Sequence, residues 1–129
     1  MGRKNNRKQI HTGGLPMELV KKKPKRMEIW YAYLPMHKGQ KVQGGARPVV
    51  IVSNDISNEK SGIVTVVPLT SKMKRLDMPT HIQIPFGAEG SVVLAEQIMT
   101  MDQRFLDRKI GMCDREPEIE LAMLAQLGF

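Results

Sequence analysis

Residues 1–26 show no helical or strand period in their apolar positions, whereas short alternating runs begin at Met27. Residues 27–34 (MEIWYAYL) alternate, placing Ile29, Tyr31 and Tyr33 on one face of a strand and Trp30, Ala32 and Leu34 on the other. Residues 48–52 (PVVIV) are apolar on both faces, which predicts a central strand. A β-branched run at 62–70 (GIVTVVPLT) predicts a third strand. Residues 81–85 (HIQIP) predict a fourth, with Ile82 and Ile84 inward and His81 and Gln83 outward. The run 91–98 (SVVLAEQI) reads as the last long strand. Short strands separated by Gly, Pro and Asn-Asp punctuation predict a mainly β protein built as a small antiparallel barrel.

Two helical stretches follow. Residues 102–111 (DQRFLDRKIG) predict one or two turns, capped by Asp102 and stopped at Gly111. Residues 116–129 predict a C-terminal α-helix with Pro117 in its first turn, acids at its start and Gly128 at its end. Its apolar residues Ile119, Leu121, Met123, Leu124, Leu127 and Phe129 cover more than one stripe. That is wider than packing on one side needs, so part of the helix is expected to face another chain.

Charge divides the chain in two. Residues 1–26 carry nine Lys and Arg against the single acid Glu18, ending in 21–26 (KKKPKR), while residues 27–129 are nearly neutral. The net charge of +7 therefore belongs to the amino-terminal segment and says little about the folded part. This segment is read as a basic, disordered extension, with residues 27–129 as the domain. It is either a solvated leader or an arm that adds affinity for a polyanion by counterion release. The lone Cys113 excludes an internal disulfide, and no apolar run is long enough to span a bilayer. A cytoplasmic location is expected.

The chain carries no Walker loop, no G-x-S-x-G elbow, and no HExxH or CxxC spacing; His11, His37 and His81 are scattered. No metal and no cofactor are expected, and nucleotide hydrolysis and serine esterase chemistry are disfavoured. Polar residues at strand ends remain. Arg47 opens the central strand, held between Gly44-Gly45 and Pro48, and Ser53-Asn54-Asp55 ends it. Thr70-Ser71 ends the next strand, and Glu96-Gln97 lies near the end of the last. Singly, each has an ordinary structural role: Arg47 as a snorkelling side chain at a strand mouth, Asn54 and Ser71 as turn or cap residues, Gln97 as an edge polar. Together, strand ends of a barrel can converge on one rim.

Residues 27–114 resemble the PemK/MazF family of bacterial toxins, the sequence-specific endoribonucleases of toxin–antitoxin pairs. The stretches EIWYAYL, QGGARPVVIVSND, TVVPLTSKMKRLDMPTHIQIP and SVVLAEQIMTMDQRFLDRKIG carry the resemblance in order and spacing. It implies an SH3-like barrel, a homodimer, metal-independent cleavage of single-stranded RNA, and an acidic antitoxin that occupies the RNA groove. It also implies that Arg47 and Thr70 form the catalytic pair, with Asn54, Ser71, Glu96 and Gln97 contacting RNA. The chemistry is attack of a 2′-OH on the adjoining 3′ phosphate, leaving a 2′,3′-cyclic phosphate and a 5′-OH. The chain also departs from the family pattern. Met27-Glu28 stands for the usual Gly-Asp, Lys41-Val42 replaces an acid before QGG, and Leu94 stands where the PemK branch has an arginine. Met99 replaces a basic residue. A second reading, from another class, is a non-catalytic barrel of this fold acting by protein binding, as gyrase poisons do, or by RNA binding alone.

Overall fold

The apolar run that follows Arg47 becomes the middle of the sheet, and the reason is its two-sided burial. In the computed structural model, which describes residues 22–36, 39, 41–73 and 75–129 and the backbone at 11–12 and 15–16, Val49 and Ile51 enter one apolar cluster and Val50 and Val52 another. The first cluster gathers Trp30, Ala32, Leu34, Val64, Val66, Met101 and Leu106 on one face of the sheet. The second gathers Ile29, Val67, Leu69, Ile84, Val93 and Ile119 on the other. The alternation predicted for residues 27–34 is what divides Ile29 from Trp30, Ala32 and Leu34.

Among the described residues the elements run β1 (His11–Thr12), β2 (Leu15–Pro16), β3 (Glu28–Leu34), β4 (Gly45–Ile51), α1 (Asp55–Ser61), β5 (Ile63–Thr70), β6 (His81–Ile84), β7 (Ser91–Leu94), β8 (Met99–Asp102), β9 (Leu106–Met112) and α2 (Glu116–Leu127). β1 and β2 pair only with each other. The other seven strands form one antiparallel sheet in the order β6-β7-β5-β4-β3-β9, with β8 against the first half of β5. The mainly β fold with a C-terminal helix is as expected, but β6 and β9 remain edges and the barrel is not closed.

Two predicted elements, one side chain and one turn differ. The stretch 91–98 is β7 followed by a 3-10 turn, Ala95–Gln97, that leads into β8. The stretch 102–111 is not helical: after a single 3-10 turn, Gln103–Phe105, it becomes β9 and pairs along β3. Edge pairing supplied by β3 outweighs the weak helical propensity of so short a segment. His81, expected outward, is 8% exposed because the segment before β6 and the 3-10 turn enclose its ring. α1 stands where the Ser53-Asn54-Asp55 punctuation predicts a turn. Asn54 caps it by accepting from the Ser57 amide at 2.8 Å, and Gly62 ends it at φ 77°.

Residues 22–26 lie against the domain. Lys22 Nζ donates to the carbonyls of Gln103, Arg104 and Leu106, and Arg26 donates to Glu116, Glu120 and the Val52 carbonyl. Of the rest of the basic extension only the backbone of β1 and β2 is described, and His37 lies outside the described residues. Met27 holds φ 72°, a left-handed value that glycine takes more readily, with its side chain in the Ile29 cluster. Glu28 accepts from the Trp30 indole and the Lys25 amide, both at 2.9 Å.

α2 turns Ile119 and Ala122 inward and leaves Leu121, Leu124 and Leu127 exposed, as its over-wide apolar surface predicted. Ile119→Ala should destabilise the fold by about 2–5 kcal/mol in urea unfolding, because it empties a fully buried site in the core.

Candidate active site at the end of the β4–β5 ladder

The β4–β5 ladder runs Ile51↔Val66, Val50↔Val67, Val49↔Pro68 and stops. Pro68 and Pro48 have no N–H to donate, so neither strand can carry the ladder further at this point. Beyond Pro68, β5 turns to β7 and pairs Leu69↔Val93 and Thr70↔Val92. The two strands part there, and a groove of about 700 Å³ opens between them.

Arg47 occupies the gap. Its Nη1 donates to the Leu69 carbonyl at 3.4 Å and its Nε to the Gly44 carbonyl at 3.1 Å. One side of the guanidinium is thus bound to both strands' backbones, and the fork retains donors for a ligand in the groove. Thr70 follows Leu69 and lines the same groove at 7% exposure. Its Oγ1 accepts from the Lys72 amide at 3.2 Å, which leaves the hydroxyl proton to donate elsewhere. Ser71 and Lys72 continue the wall, Tyr31 stands on β3 across from Pro48, and the β6–β7 turn from Phe86 to Gly90 closes the far side.

Gly44 and Gly45 lead the chain into Arg47. Their requirement lies within the chain: a Cβ on Gly44 would meet the Pro35 carbonyl oxygen at 2.4 Å, and Gly45 has φ 77°. They set the bend that aims the Gly44 carbonyl at Arg47.

Of the residues singled out in the sequence, Arg47, Thr70 and Ser71 share the groove. Gln97 stands behind it, where its Oε1 accepts from the Gln43 amide at 2.7 Å and holds the segment leading to Gly44. Glu96 is turned away into a buried contact with His81, Oε2 to Nε2 at 2.8 Å, while His81 Nδ1 lies 3.1 Å from the Arg75 carbonyl. Asn54 is not brought to the groove. It follows the opposite end of β4, seven residues or roughly 23 Å of strand from Arg47, and its side chain serves α1. Tyr31, Gln43, Lys72 and the 86–91 segment were missed. Only the alternation of β3 pointed to Tyr31, by placing it on the face of Ile29.

A family model described as the PemK-like, MazF-like toxin of type II toxin-antitoxin system matches residues 25–124. The chain belongs to this toxin family. The toxin is 38% identical over 96 residues to Endoribonuclease EndoA of Bacillus subtilis (strain 168), covering 71% of this chain and 82% of EndoA. Its structure resembles an endoribonuclease in complex with its cognate antitoxin from a mycobacterial species (TM-score 0.66, 26% identity, 82% of this chain and 96% of that one). MazF from Deinococcus radiodurans shares the fold (TM-score 0.73, 23% identity, 84% of this chain and 100% of that one).

In this toxin, burial pushes the Glu96 carboxyl up, and the hydrogen bond from His81 with its backbone and charge partners outweighs that, leaving it below its ordinary value of 4.5. The stabilisation from a lowered carboxyl is complete above 4.5 and is lost as pH falls through the lower folded value. Glu96→Gln should therefore cost stability at pH 7, with the difference from the unaltered toxin shrinking as urea melts are repeated from 4.5 downward. A difference constant across that range would remove the Glu96–His81 contact as a source of stability.

Proposed function

We propose that this toxin is a metal-independent endoribonuclease that cleaves single-stranded RNA, with messenger RNA as its target, and that Arg47 and Thr70 carry the reaction. The observation behind this reading is the clamped guanidinium of Arg47 beside the Thr70 hydroxyl, in a groove open to solvent. Its relative from Bacillus subtilis bears the name endoribonuclease.

RNA in the groove places a phosphate against the free side of the Arg47 fork. The 2′-OH attacks the adjoining phosphorus, its proton leaves to water, and the phosphorane gathers extra negative charge. The Arg47 guanidinium stabilises that charge and, having no free lone pair, does not accept the proton. Thr70 donates its hydroxyl proton to a phosphate oxygen. The P–O5′ bond then breaks and the 5′ oxygen takes a proton from water, leaving a 2′,3′-cyclic phosphate and a 5′-OH. Ser71 and Lys72 contact the neighbouring phosphate, and Gln97 acts by holding the segment before Arg47. Glu96, committed to His81, is a support rather than a base reader. Asn54 contacts RNA only if a second copy brings its own Asn54 to the groove.

The exposed Leu121, Leu124 and Leu127 of α2 support a homodimer. A cognate antitoxin with an acidic segment would lie in the same groove and block it; a mycobacterial relative is seen in complex with its own antitoxin. Among the described residues no helix is long and apolar enough to cross a membrane; the cytoplasmic action we propose rests on the RNA target of the toxin family.

Purified toxin should cut single-stranded RNA in EDTA at a recurring short sequence and leave 5′-OH ends. Arg47→Ala should slow cleavage by roughly 10²–10³-fold while the protein still folds, with the thermal melt lowered modestly because the Gly44 and Leu69 carbonyls lose their donor. Arg47→Lys should fail to restore it, because an ammonium cannot keep the fork on both the Gly44 and Leu69 carbonyls. Intact RNA across several unrelated sequences would instead favour the binding-only reading. Sedimentation should give twice the 14.6 kDa chain mass.

A further inference from the structure

Tyr31 lines the groove but makes none of the contacts that hold Arg47 and Thr70. It follows Ile29 on the same face of β3, yet it is not part of the apolar cluster that Ile29 enters. On the β9 side, in register with Tyr31, Arg108 places its guanidinium carbon 5.1 Å from the ring centroid. The Tyr33 ring meets Tyr31 edge-on, with centroids 6.1 Å apart and planes at 80°. On the β4 side stand Pro48, directly opposite in register, and Ala46, both small and both lining the groove. Arg108 and Tyr33 thus brace the ring, and the ring also lines the open groove.

We propose that Tyr31, backed by Arg108, is a stacking platform for an unpaired nucleobase of the bound RNA; this rests on reading the groove as the RNA site. A flat ring with one face fixed by a cation offers its remaining face to a base without losing much side-chain freedom, and every base has a π-face to place there. The position suits the chemistry. Pro48 faces Tyr31 and adjoins Arg47 in sequence, and neighbouring strands lie about 4.8 Å apart. A phosphate held by Arg47 and a base laid on Tyr31 thus belong to the same nucleotide or to neighbours. The platform holds the base apart from its neighbours, which turns the attacking ribose toward the phosphate and makes Tyr31 a binding and positioning residue.

The test uses the full-length toxin and a single-stranded RNA of mixed sequence in which 2-aminopurine replaces adenine and 2′-O-methylation prevents cleavage. Binding should quench the 2-aminopurine emission, since stacking on an aromatic ring does so. Tyr31→Phe, which keeps the ring, should retain the quench. Tyr31→Leu should lose it and bind about tenfold or more weakly, with its thermal melt recorded alongside. Bound RNA that is not quenched by the unaltered toxin would overturn the proposal, and that observation needs no variant. So would Tyr31→Leu quenching like the unaltered protein. Cleavage of unmodified RNA is followed in parallel: cleavage without quenching sinks only the platform, whereas absence of both RNA binding and cleavage sinks the endoribonuclease reading and the platform with it.

Discussion

The end of the β4–β5 ladder at Val49↔Pro68 is the constraint on which the site depends. Two strands that pair throughout leave no groove between them, and two that separate leave carbonyls without partners. Here prolines at 48 and 68 make separation cheap by removing the donors, and Arg47 supplies the missing donor to Leu69 from its side chain. The residue proposed to hold the phosphate is thus also the one that completes the backbone where the sheet opens.

That arrangement needs β4 to be immobile. Its centre is buried on both faces, Val49 and Ile51 against Trp30 and Val66, Val50 and Val52 against Ile29 and Val67, so a slip by one residue would misplace both clusters. The approach to Arg47 is fixed in turn by Gly44, whose lack of a Cβ lets the chain pass the Pro35 carbonyl, and by the Gln97 side chain on the Gln43 amide. Gln97 ends the 3-10 turn that Glu96 ties to His81. Of the polar residues that look like ligand contacts in the sequence, three face the groove, and Glu96 and Gln97 hold the segments behind it.

The sequence was informative where burial is periodic. Alternation in 27–34 and the two-sided run at 49–52 identified β3 and the central position of β4, and Pro117 and Gly128 bounded α2. It was uninformative where pairing decides. Residues 106–112 have no pattern of their own that demands a strand, and become β9 because β3 offers an unsatisfied edge. His81 has the alternation of an outward residue, and only the enclosure of its ring by the Arg75 carbonyl and Glu96 makes it inward. Asn54 has the composition of a ligand contact and of a helix cap alike, and the helix beginning at Asp55 selects the second.

What the sequence by itself determined is the mainly β architecture, the identity of the toxin family, and the residue types at the strand ends, because each of these is written in local period, punctuation and motif order. What only the tertiary structure decided is which strand ends meet. Arg47 and Thr70 lie far apart along the chain and come together because antiparallel register sums their positions. Asn54, seven residues from Arg47 in sequence, is carried to the far end because a strand advances about 3.3 Å with every residue.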